Sequence, residues 1–94
     1  MAAVACRGDW GSGHDGYPAT RILTASADVW IRQRPVARVG DQLLPHRKAK
    51  RPLHRRSIAS GASHVLVNGR PLAHAGSRVD CGGQLLALGF VEVG

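Results

Sequence analysis

Aromatic side chains are nearly missing: the chain has two Trp, one Tyr and one Phe in 94 residues. A core built on large rings is therefore excluded. Acids are scarce too, six against thirteen Lys and Arg. Asp9, Asp15, Asp28, Asp41, Asp80 and Glu92 are scattered. No Ser-His-Asp arrangement emerges among them, which argues against an enzyme. No apolar run approaches the roughly 18 residues of a membrane-spanning helix. The opening M-A-A-V-A-C-R has no extended apolar segment of the secretory kind. The expectation is a chain made in the cytoplasm without a signal peptide, which other machinery must carry if it leaves. There are only two cysteines, Cys6 and Cys81, and a cytoplasmic start argues against a disulfide. Two Cys with five His point instead to a mixed-ligand metal site.

A phrase is written twice. Residues 34–41 read R-P-V-A-R-V-G-D and residues 70–77 read R-P-L-A-H-A-G-S, an offset of 70 − 34 = 36. The offset extends backwards: Ile22 maps to Ile58, Ala25 to Gly61, Val29 to Val65 and Ile31 to Val67. A fixed period of this size marks a repeated supersecondary unit. Glycine is abundant, 12 of 94, against an average of about 7%, which predicts many tight turns.

Residues 22–32 and 58–68 end in V-W-I-R and H-V-L-V-N, both with strand character. Asn68-Gly69 is a strong hairpin turn, and Gln33-Arg34 takes the same place in the first copy. Return strands follow at 35–39 and 71–75, each opened by a proline, as suits an edge or first strand position. Residues 85–93, L-L-A-L-G-F-V-E-V, read as a truncated third copy with Val91 and Val93 in the places of Val29 and Ile31. The chain ends before that hairpin can return. Residues 1–21 show no periodicity and read as a looped lead-in, and no helix is expected. The fold expected is all-β: one domain over 1–94, with repeats at about 22–45, 58–81 and 85–94, arranged as a pseudo-threefold stack of hairpins with long loops. Single hairpins are not stable alone, but three can share a core.

The net charge of +7 is uneven. Arg47, Lys48, Lys50, Arg51, Arg55 and Arg56 put six of the thirteen cations within ten residues. This run reads as a solvated cationic loop. A small basic nucleic-acid-binding module is the alternative, weakened because the run has no aromatic to stack on a base and no helix for a groove.

These residues carry a resemblance. Pro35-Val36-Ala37-Arg38 followed by Val39-Gly40-Asp41, and Pro71-Leu72-Ala73-His74 followed by Asp80-Cys81-Gly82-Gly83, resemble the PAAR-repeat proteins over about residues 10–94. The chain departs from the pattern at His74 and Ser77, which replace Arg and Asp, so an Arg–Asp pair is expected only in the first copy. The resemblance implies a conical tip on a trimeric β-helical spike, of the valine-glycine repeat type or of a phage tail. Such tips serve type VI secretion systems and contractile phage-like tails, where they sharpen a spike driven through a target envelope. It implies one tip per trimer, a free monomer, transient contact with a target membrane, and release with the spike by secretion or on a virion. At 94 residues the chain looks like a bare tip without an effector extension. The resemblance further implies a structural Zn2+ near the apex, whose ligands match His14, His46, His54 and Cys81. Cys6 is read as a bystander, and His64 and His74 as strand residues.

Overall fold

Three stretches of one kind lie side by side in the computed structural model, which describes residues 2–89 and 91–93. They are residues 3–9, 35–41 and 71–77. At their centre Ala5, Ala37 and Ala73 close a ring of backbone hydrogen bonds. Ala37 N–H donates to Ala5 C=O (2.9 Å), Ala5 to Ala73 (3.0 Å) and Ala73 to Ala37 (3.0 Å). All three alanines are fully buried. The pattern repeats outward. Arg7, Val39 and Ala75 donate to Pro35, Pro71 and Ala3. Gly8, Gly40 and Gly76 turn at φ 95°, 91° and 88°, a region open to glycine and costly for other residues. The next residue, Asp9, Asp41 or Ser77, accepts from the backbone N–H three positions back, at Cys6, Arg38 or His74.

The third return strand is therefore at the N-terminus, in the stretch that the sequence presents as a lead-in. The described residues contain eleven short strands. They are β1 (Ala2–Ala3), β2 (Trp10–Gly11), β3 (Thr20–Arg21), β4 (Trp30–Ile31), β5 (Arg34–Pro35), β6 (Gln42–His46), β7 (His54–Ser57), β8 (Ala62–Val67), β9 (Arg70–Leu72), β10 (Leu85–Leu86) and β11 (Glu92–Val93). The all-β expectation holds, and no helix occurs among the described residues. β4 pairs with β5 and β8 with β9 as hairpins, whereas β11 pairs with β1 from the opposite end of the chain. The registers correspond: Trp30↔Pro35, Leu66↔Pro71 and Glu92↔Ala3. Both hairpin turns have positive φ at two successive residues, Asn68-Gly69 as expected and Arg32-Gln33, one residue earlier than the expected Gln33-Arg34, because Arg34 already pairs with Ile31. The part of the C-terminal copy at Phe90 lies outside the described residues.

Two core clusters stack along the molecule, whose extents are 39 × 24 × 22 Å. Val4, Cys6, Val36, Val67 and Leu72 pack beneath the hairpins. The alanine ring joins Ile22, Leu43, Ile58, Val79 and Leu85 in the second cluster, against which Cys81 packs. Small residues at the ring are what let three strands approach this closely. Ala37→Leu is expected to cost about 3 kcal/mol, because close-packed interiors do not absorb added methylenes; urea unfolding checks this.

Charge ties the seams unequally. Arg34 pairs with Asp9 (2.6 Å), and Arg38 and Arg70 both reach Asp41 (2.9 and 3.2 Å). The equivalent positions at the third seam, Ala2 and Ser77, carry no charge. Burial alone would raise the Asp41 carboxyl. Hydrogen bonds from Arg38 and Thr24 outweigh it and hold the group below the usual range.

Candidate metal centre

Strand alternation builds the centre. Side chains two apart share a face, so with Ile58 in the core, Arg56 and His54 also turn inward while Arg55 is exposed. Cys81 comes instead from a turn, closed by Gly82 N–H to Val79 C=O (3.0 Å) and Val79 N–H to Gly83 C=O (3.1 Å), with Gly82 and Gly83 at φ 121° and 90°. His46 arrives by an irregularity. β6 and β7 pair Leu43 with Arg56 and then His46 with His54, so β6 carries one extra residue. Without this bulge Pro45 would oppose His54; with it, the His46 side chain turns in. His14 comes from a tight hairpin in which His14 and Tyr17 exchange backbone hydrogen bonds. Its turn is Asp15-Gly16, at φ 46° and 83°, as an Asp-Gly hairpin turn requires.

The structure brings the four sequence-designated residues together. One potential ligand atom from each of His14, His46, His54 and Cys81 lies within 4.8 Å of all the others. Cys81 Sγ is 3.7 Å from His46 Nε2. A tetrahedral ion with bonds of about 2.0–2.3 Å holds its ligands roughly 3.3–3.8 Å apart, so slight contraction suffices.

Hydrogen bonding identifies the free nitrogens. His46 Nδ1 lies 2.8 Å from Pro18 C=O. A carbonyl only accepts, so Nδ1 carries the proton and Nε2 keeps its lone pair. This is the outer-shell arrangement that orients histidine ligands. His14 Nε2 and His54 Nδ1 are buried with no hydrogen-bond partner. Buried polar atoms rarely stay unpaired, and an ion would satisfy both. The donor set, three imidazoles and one thiol, fits a soft or borderline divalent metal. The His46 imidazole is held below its ordinary pKa by burial first, then by the neighbouring Arg56, His14 and His54. These outweigh the hydrogen bond to Pro18, which acts the other way, and favour the neutral form that binds metal.

Two neighbours were not read from the sequence as part of the site. Tyr17 is buried, and its ring stacks on His54 with centroids 3.9 Å apart and planes 15° apart. Arg56, counted with the cationic run, is 1% exposed. It donates to the carbonyls of Gly11 (3.2 Å), Ser12 and Gly82 (3.2 Å) and to Thr20 Oγ1 (3.0 Å). It thereby ties the arms that carry His14 and Cys81. The signal for Arg56 was its place two residues before Ile58; the charge run around it hid that signal. Gly83 is needed here, since a Cβ would collide with Ser12 C=O. Of the remaining candidates, Cys6 is buried in the hairpin-end core. His64 lies on β8, and His74 Nδ1 lies 2.8 Å from Ala75 C=O; neither reaches the cluster.

Comparison with curated proteins returns no match. A family model described as the PAAR motif matches residues 12–87.

Proposed function

The chain belongs to the PAAR-motif family of spike-tip proteins, and from that premise we propose that it caps a trimeric β-helical spike of a contractile injection machine. The role is structural, and the metal is Zn2+ held by His14, His46, His54 and Cys81. Four protein ligands close a tetrahedral site, leaving no position for a reacting water. The ion is a staple for a domain too small to rely on its core alone.

The observation that carries the reading is the alanine ring. Its hydrogen bonds give one chain three near-equivalent faces, and three identical subunits can each meet a similar surface. The surface suited to them is the hairpin end, away from the metal. Most equivalent positions there carry exposed apolar side chains: Val29 and Val91 at one level, Trp30 (52% exposed) and Leu66 (60%) at the next, where the third copy has the exposed Glu92. A cap on that end would also cover strand edges of the spike, which otherwise invite unwanted pairing.

The expected outcome is a complex of one chain with three spike subunits, measured by native mass spectrometry with a trimeric β-helical spike protein from the same source. A trimer of this chain alone, or a 3:3 complex, would refute the reading. Trp30→Asp with Leu66→Asp should abolish the complex while leaving metal content unchanged.

A further inference from the structure

We propose that the loop beyond the metal cluster is a contact surface for anionic phospholipid. The idea rests on the tip reading only for where the loop is presented, not for its chemistry.

The last paired residues of the β6–β7 hairpin are His46 and His54, both members of the metal cluster. Residues 47–53 therefore extend past the cluster, with both ends fixed by it. Arg47, Lys50 and Arg51 are exposed in this loop, and Arg55 is exposed just after it. Lys48 is partly engaged, donating to Asp15 C=O (2.5 Å). Arg56, the last cation of the sequence run, points into the fold and takes no part. Apolar residues flank the charges: Leu44 is 51% exposed and Leu53 47%. Cations with an exposed leucine on either side in the chain suit a membrane surface, where phosphates meet the charges and the leucines enter the acyl boundary. A nucleic acid would want stacking aromatics, and residues 42–57 contain no Trp, Tyr or Phe, their two histidines being members of the metal cluster.

The test is flotation of the metal-loaded full chain with two vesicle types, phosphatidylcholine alone and phosphatidylcholine mixed with phosphatidylglycerol. Binding should require the anionic lipid and fall steeply with salt. Each cation near such a surface contributes about a fivefold gain in affinity. Changing Arg47, Lys50 and Arg51 to Ser together should therefore weaken binding roughly a hundredfold. Leu44→Ser with Leu53→Ser should weaken it about tenfold, with little added salt dependence. Metal content and melting temperature should hold in both variants. Equal binding to both vesicle types, or wild-type binding by the triple variant, would overturn the proposal. So would displacement of the vesicles by duplex DNA at equal phosphate. Spike stoichiometry, measured on the same variants, reports on the capping role independently: a chain that binds vesicles but no spike would sink that role and leave the lipid surface standing.

Discussion

Cys81→Ala is expected to release the metal and lower the stability of the fold by about 3–6 kcal/mol, since metal binding energy in a small domain is largely folding energy. For a domain of this size each kcal/mol moves the melting temperature by roughly 4–8 °C, so a drop of 15 °C or more should be visible in a thermal melt. A chelator should produce a similar drop in the wild type and almost none in the variant. The geometry explains why so few atoms matter so much. Cys81 packs on the second core cluster, while the histidines stand on β6, β7 and the His14 turn. One ion would thus join the β6–β7 hairpin, the His14 turn and the Cys81 turn at a single point, adding to the Arg56 hydrogen bonds and the Tyr17–His54 stack that also link them. Without metal the chain should also lose stability as pH falls below about 6.5. The sign follows from His46: its folded pKa is lowered by burial and cationic neighbours, so the unfolded chain binds the proton more readily and acid favours unfolding. A variant that keeps both its metal and its melting temperature would disprove the ligand assignment.

The repeat was legible in the sequence because it is a local pattern: the 36-residue offset needs only two stretches to be compared. The four ligands were reached through the family resemblance, since their spacing matches no standard metal motif. The N-terminal return strand was not legible. Ala5 sits 37 − 5 = 32 residues before its equivalent rather than 36, and its copy shares only Val4, Ala5, Gly8 and Asp9 with residues 36–41. Its hairpin partner, β11, lies at the other end of the chain. Local periodicity cannot register a pairing between two termini; only the closed ring of backbone bonds reveals it. Tyr17 was missed for a different reason. A lone aromatic in a Gly-rich segment has no pattern to belong to, and its place beside His54 comes from the Asp15-Gly16 turn. Arg56 was hidden by company: charge density favours solvent, strand alternation favours the interior, and the alternation won.

That outcome leads to the second large effect. Arg56→Met is expected to cost about 2–4 kcal/mol and to weaken metal binding at least tenfold. Two terms oppose each other. A buried guanidinium with no carboxylate partner among the described residues carries a desolvation cost of several kcal/mol, and methionine removes that cost. It also leaves the carbonyls of Gly11, Ser12 and Gly82 without donors, at about 1–3 kcal/mol for each one that stays buried. The loss outweighs the gain because the carbonyls belong to the arms bearing His14 and Cys81 and cannot turn outward without moving those ligands. Charge alone predicts the reverse for the metal. Three neutral imidazoles, one thiolate and a divalent ion sum to +1, so removing a neighbouring cation should tighten binding. The two accounts separate cleanly when Arg56→Lys is measured beside Arg56→Met in a competitive metal titration. If the fork of hydrogen bonds is what counts, Lys, which keeps the charge but not the fork, should fall between wild type and Met. If repulsion dominates, Met should bind metal more tightly than wild type, and the role of Arg56 in positioning the ligands would have to be abandoned.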